Sequence, residues 1–66
     1  MNSIGDAIKA RRRDFGLTQG QLAKLSDVGI NTLTKIERGE GNPTVQVVEK
    51  VLQTLGLQLT VSTIDV

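Results

Sequence analysis

The chain has 66 residues and a net charge of +1, and it contains no cysteine, histidine, tryptophan or tyrosine. This composition excludes disulfides and thiolate metal sites, and it removes the side chains most used as general bases and metal ligands. We therefore expect neither an enzyme nor a metal-binding protein, and we predict no cofactor. No apolar run approaches the roughly 20 residues that span a bilayer and no signal peptide is recognised, so we expect a cytoplasmic protein.

The first helix is predicted to follow Ser3, a suitable N-cap, and to end at Gly16. Helical spacing predicts that its apolar residues share one buried face. These residues are Ile4, Ala7, Ile8 and Phe15.

A capping box predicts where the second helix begins. Thr18 stands three residues before Gln21, and Leu17 and Leu22 flank the box as a hydrophobic staple. The helix is expected to fade near residues 26–27. Its apolar residues are Leu22, Ala23 and Leu25.

Two further helices follow short turns. Val28-Gly29 precedes a third helix over residues 30–38, with Leu33 and Ile36 facing inward, and Gly39 is placed to end it. A loop over residues 39–43 then leads to Thr44, the predicted cap of a fourth helix that ends at Gly56. The apolar residues of this helix follow the i, i+3, i+4, i+7 pattern: Val48, Val51, Leu52 and Leu55.

The tail changes to strict apolar–polar alternation, which predicts a half-buried strand with Leu57, Leu59 and Val61 on one side. The expected fold is therefore all-α: a four-helix domain over residues 1–56, followed by a dimerisation strand and tail over residues 57–66. A lone strand has no partner in its own chain, so pairing with the same strand of a second copy would give a homodimer. The alternatives are that the strand folds back on the fourth helix or that the end frays.

Arg12 follows Ile8 by four residues, and Glu37 follows Leu33 by four, so both charges point toward the buried side of their helices. A buried guanidinium is costly unless it is paired. We therefore predict an ion pair between Arg12 and Glu37 that joins the first and third helices. The alternative is that both side chains extend to solvent.

The second and third helices and their glycine-containing turn form a helix-turn-helix unit. With Leu33 inward, the side chains that project outward are small or basic: Asn31, Thr32, Thr34 and Lys35. Such side chains suit the donors and acceptors of a major groove, although a solvated helix face has the same composition.

Five short sequence segments favour the DNA-binding interpretation over a solvated helix face. They are Arg11-Arg12, Phe15-Gly16-Leu17-Thr18-Gln19, Gln21-Leu22-Ala23, the run from Val28 to Gly39, and Gly41-Asn42-Pro43-Thr44. With these segments, residues 4–56 resemble the Cro/phage-repressor type of helix-turn-helix domain, the XRE family, which binds double-stranded operator DNA.

The resemblance implies a role for individual residues. The base contacts that it implies are Gln19, Ile30, Asn31, Thr34 and Lys35. The phosphate contacts that it implies are Thr18, Gln19, Thr32, Arg38, Asn42 and Thr44. It also implies a buried ion pair at Arg12 and Glu37. The chain departs from the family at Gly20, where a helix former is usual, and at Ile30, which is apolar and would meet a thymine methyl group or pack locally.

The tail string Leu-Gly-Leu-Gln-Leu-Thr-Val, residues 55–61, also resembles the HipB-type antitoxins, whose C-terminal strands form a dimer sheet. That resemblance implies a homodimer that represses its own operon at a palindromic operator and neutralises a HipA-type serine/threonine kinase toxin. A stand-alone XRE-family regulator, a restriction–modification controller and a purely protein-binding adaptor are the alternatives.

Overall fold

The computed structural model describes residues 3–60, and most of these residues lie in four α-helices. The helices are α1 (Ser3–Asp14), α2 (Gln19–Ser26), α3 (Ile30–Arg38) and α4 (Val45–Thr54). α1 packs on α3, and α2 packs on both α3 and α4. The predicted four-helix, all-α architecture is confirmed for this part of the chain. None of the four described helices is long and apolar enough to cross a membrane.

Capping hydrogen bonds explain where α2 and α4 begin. The capping box predicted for α2 is confirmed: the Gln21 amide donates to Thr18 Oγ1 over 3.0 Å, and the Thr18 amide donates to Gln21 Oε1 over 2.8 Å. At α4, the amide of Val47 donates to Thr44 Oγ1 over 3.2 Å. Both threonines thereby satisfy a backbone donor that the helix itself leaves unpaired.

Left-handed residues end α2 and α3. Gly39 ends α3 at φ 74°, and its amide donates to the carbonyl oxygen of Ile36 over 3.1 Å. α2 ends at Asp27, which takes φ 57° although it carries a side chain. Asp tolerates this region better than most residues, because its short polar side chain can bond locally.

The core lies between the helices and is entirely aliphatic. Leu33 and Ile36 of α3 and all four residues predicted for α4 are buried, as expected. The fully buried side chains of the core come from all four helical segments. They are Ile8, Leu22, Leu33, Val51 and Leu55.

The buried face predicted for α1 is wrong in part. Ile8 is fully buried, but Ile4, Ala7 and Phe15 are exposed. The stripe that faces the protein is instead Gly5, Ile8 and Arg12. Phe15 lies beyond the last helical residue, where helical periodicity no longer applies, and its ring lies 4.8 Å from the guanidinium carbon of Arg11.

Leu25 of α2 is also exposed, because Ser26 and not Leu25 lies on the side of the helix that faces the core. The buried face of α2 consists of Leu22, Ala23 and Ser26. The Ser26 hydroxyl donates to Thr54 Oγ1 over 3.1 Å and so ties α2 to α4.

The described part of the tail follows α4 without forming a strand. Leu57 packs partly buried against the core and donates its amide to the carbonyl oxygen of Leu52 over 2.8 Å, whereas Leu59 is exposed. Val61 and the rest of the tail lie outside the described residues, as does the side chain of Ser3. The strand, the dimer sheet and the Ser3 cap therefore stay predictions.

Candidate nucleic-acid interface

The turn between α2 and α3 fixes the angle at which α3 is presented. The amide of Val28 donates to the carbonyl oxygen of Ala23 over 3.0 Å, and the Val28 side chain packs against the core. Gly29 then caps α3 with its backbone alone, since it has no side chain to bond the first amides. The two helices and this turn form the helix-turn-helix unit that the sequence predicts.

A buried ion pair holds α3 against α1. Arg12 Nε lies 2.8 Å from Glu37 Oε2, and Arg12 Nη2 lies 3.1 Å from Glu37 Oε1. Arg12 Nη1 also donates to the carbonyl oxygen of Leu17 over 2.9 Å, at the entrance to α2. The contact predicted between Arg12 and Glu37 is thus present and bidentate, and the same guanidinium joins α1 to two other segments of the chain.

Gln19 extends this network to the outward side of α3. Its amide nitrogen donates to Glu37 Oε1 over 3.1 Å, and its amide oxygen lies 3.3 Å from the Thr34 hydroxyl. The Thr34 hydroxyl also lies 2.9 Å from the carbonyl oxygen of Ile30, so its single proton is used within the protein. The Gln19 amide nitrogen has a second hydrogen, which leaves one donor outside these contacts.

The opposite side of α3 carries most of the residues that the resemblance assigns to base and phosphate contacts. Leu33 and Ile36 turn inward, which leaves a row of exposed side chains on the outer face, with Thr34 half-buried beside it. The exposed residues are Ile30, Asn31, Thr32, Lys35 and Arg38. We call these five residues the outer face of α3. It offers amide, hydroxyl and cationic donors along one side of a nine-residue helix.

Ile30 lies close to the start of α2 as well as to solvent. A Cβ atom built on Gly20 would lie 3.7 Å from Ile30 Cδ1, and half of the Ile30 side chain is exposed. A side chain at position 20 would thus make an ordinary van der Waals contact with this isoleucine. Ile30 therefore packs locally and also exposes part of its apolar side chain to solvent.

Two of the residues assigned to phosphate contacts are helix caps. The hydroxyl oxygens of Thr18 and Thr44 accept backbone hydrogen bonds, so each hydroxyl proton is available to donate elsewhere. Asn42 is exposed in the loop after α3 and lines the same shallow cavity as Thr32 and Lys35. The structure thus places Asn42 of the loop beside Thr32 and Lys35 of α3.

Two features of this surface could not be predicted from the sequence. The bonds of Gln19 to Glu37 and Thr34 span 18 and 15 positions and carry no periodic signal. Glu40 lines the same cavity as Lys35, although the loop composition alone does not predict it.

Comparison with known proteins gives one family and several relatives. Residues 8–61 match the family described as helix-turn-helix. The chain is 39% identical over 57 residues to the immunity repressor protein of Bacillus phage phi105, covering 86% of this chain and 40% of that protein. It is 45% identical over 58 residues to the HTH-type transcriptional regulator SlrR of Bacillus subtilis (strain 168), covering 86% of this chain and 38% of that protein.

A solved structure shares the fold. The crystal structure of the clp gene regulator ClgR from Corynebacterium glutamicum superposes with a TM-score of 0.76 at 30% identity, over 85% of this chain and 60% of that one. The chain spans 40% or less of the curated relatives described above. The shared part includes the two helices and the turn that form the candidate interface.

Proposed function

Because the chain belongs to the Cro/phage-repressor (XRE) type of the helix-turn-helix family, we propose that it is a DNA-binding transcriptional repressor that inserts α3 into the major groove. The observation that carries this proposal is the asymmetry of α3. One side is fixed to the protein through Leu33, Ile36 and Glu37, while the other side exposes polar and basic side chains. A helix that is fixed to the protein on one side can position base-reading side chains on its other side with little loss of conformational entropy on binding.

The chemistry of the outer face of α3 suits base reading. Lys35 can donate to the O6 and N7 acceptors of guanine, and Asn31 can bond adenine with two hydrogen bonds. Ile30 offers apolar surface to a thymine methyl group. Thr18 and Arg38 would then meet phosphates and fix the position of the helix without reading sequence, and Gln19 would meet both a phosphate and a base.

A charge reversal on the outer face of α3 tests this proposal. Lys35→Glu is expected to abolish binding to a labelled duplex, because it replaces a donor to the groove with a charge that the phosphates repel. Lys50→Glu is the matched control, since Lys50 lies on α4 and approaches only the exposed Asp27, at 4.0 Å, among the described ion pairs. Circular dichroism should show the same helix content for both variants. Equal loss of binding by both variants would contradict the proposed interface.

We propose further that the protein acts as a homodimer on a palindromic operator, with residues 57–66 as the dimerisation segment. Two observations support this. Leu59 is an exposed leucine in an alternating segment, and it lines a cavity of about 110 Å³ beside Leu52 and Leu57. A second tail that covered this apolar surface would remove it from water and pair its backbone.

The resemblance of the tail to HipB-type antitoxins supports a finer proposal, in which the protein also binds and neutralises a HipA-type kinase toxin. The outer face of α3 would stay committed to DNA, so Lys35→Glu is expected to spare kinase binding. The test is co-purification with the product of a neighbouring kinase-like gene. A chain with no such neighbour is instead a stand-alone regulator or a restriction–modification controller, and the DNA-binding proposal is unaffected.

A further inference from the structure

The loop after α3 brings the backbone of Glu40 beside Lys35. The chain reverses at Gly39, and the backbone amide of Glu40 donates to the carbonyl oxygen of Lys35 over 2.8 Å. The loop then returns along the lysine side chain, since a Cβ atom built on Gly41 would lie 3.7 Å from Lys35 Cδ. These contacts fix the position of Glu40 through its backbone and leave its side chain exposed.

Glu40 shares a cavity with residues of the proposed DNA-binding surface. The cavity has a volume of about 190 Å³, and α3 forms one wall through Thr32, Lys35 and Ile36. Residues 40–43 form the other wall. Thr32, Lys35 and Asn42 are proposed DNA contacts, so Glu40 lies among groups that would meet the duplex.

The carboxylate of Glu40 has no counter-ion in the part of the chain that the structure describes. The ion pairs found there join Arg12 to Glu37 and Lys50 to Asp27. Duplex DNA carries about one negative charge per 1.7 Å of its axis, and charges interact over about 8 Å at physiological salt. A carboxylate at this surface therefore experiences repulsion from several phosphates.

We propose that Glu40 is a repulsive determinant of DNA binding, which weakens the attraction of the outer face of α3 for any duplex. This inference rests on the proposed function. Phosphate attraction is independent of sequence, so a fixed negative charge beside Lys35 lowers the affinity that needs no base recognition. A single copy then binds weakly, and stable occupancy depends on base contacts and on a second copy.

Glu40→Gln tests the inference, because it removes the charge and keeps the shape of the side chain. The full-length chain is titrated against a labelled duplex of mixed sequence, with fluorescence anisotropy recorded from low to physiological salt. Glu40→Gln is expected to bind about three- to tenfold more tightly at low salt, and the gain should shrink as salt screens the charges. Glu49→Gln is the matched control on α4, which packs on α2. Because Glu49 also lines the cavity beside Leu57 and Leu59, sedimentation velocity checks that its state of assembly matches the wild type, and it should then bind duplex like the wild type.

Every other outcome overturns the inference. Unchanged affinity for Glu40→Gln, while the wild type binds, shows that the carboxylate is remote from the duplex and leaves the proposed function intact. Weaker binding shows that Glu40 makes a favourable contact, such as accepting from the amino group of cytosine. An equal gain for Glu49→Gln assigns the effect to net charge. A wild type that binds no duplex at any salt defeats the proposed function, and the inference with it.

Discussion

Arg12 and Glu37 form a bidentate ion pair at 2.8 and 3.1 Å between α1 and α3, and the Glu37 side chain is only 3% exposed. Removing either residue would leave the other charge buried without a counter-ion, which is strongly destabilising. The Glu37 carboxylate also accepts from the side chain of Gln19 and so holds Gln19 beside α3. Stability and presentation of α3 are therefore linked through one carboxylate.

The first prediction follows from this pair. Glu37→Leu should lower the free energy of unfolding by about 3–5 kcal/mol, because it leaves the buried Arg12 guanidinium without a counter-ion. Arg12→Leu should cost a similar amount, and the double variant should cost clearly less than the sum of the two. Urea denaturation of the three variants and the wild type measures the coupling. Additive losses would show that the two charges act independently.

The second prediction concerns two glycines at the ends of adjoining helices. Gly20 lies in the first turn of α2 with helical backbone, and an added Cβ would make an ordinary contact with Ile30 at 3.7 Å. Gly20→Ala should therefore raise the free energy of unfolding by about 0.4–1 kcal/mol.

Gly16→Ala is the matched control, because nothing lies within 4 Å of its added Cβ but its backbone takes φ 68°. This change should lower the free energy of unfolding by about 1 kcal/mol or more. Thermal unfolding followed by circular dichroism measures both. A gain for Gly16→Ala, or a loss for Gly20→Ala, would contradict the backbone geometry assigned to these positions.

The sequence predicts the order of the helices and most of their bounds, because caps and glycines act locally. Thr18, Gln21 and Thr44 need only their own neighbours to start a helix, and the structure shows those hydrogen bonds. Helical spacing also predicts that Arg12 and Glu37 face inward although both are charged. Local rules therefore give the architecture and one long-range contact.

Residues near helix ends and on helix borders are predicted less well. Phe15 and Leu25 are large and apolar, yet both are exposed, because burial depends on which neighbouring helix covers that side. The fixed orientation of Gln19 could not be predicted either, since its partners come from α3. Asp27 is similar: composition marks the end of α2 but not the left-handed backbone that the turn requires.

The third prediction tests the dimerisation segment. Leu59→Asp should convert the protein to a monomer at micromolar concentration, because the change places a charge in the apolar surface proposed to meet a second copy. Thr60→Asp adds the same charge one position away, at an exposed residue that does not line the cavity of Leu59, and should stay dimeric. Sedimentation velocity separates the two states. A monomeric wild type, or a dimeric Leu59→Asp variant, would rule out the proposed segment.

The central claim is that the outer face of α3 and the adjoining loop meet DNA. The most direct test is a titration of the isotope-labelled full chain with a short duplex at low salt, followed amide by amide in heteronuclear NMR spectra. We expect the amide shifts to change at residues 18–19, 29–35, 38, 40–42 and 44, with the exposed side of α4 unaffected. Shift changes concentrated around Gln46, Glu49 and Gln53, or none on α3, would contradict the account.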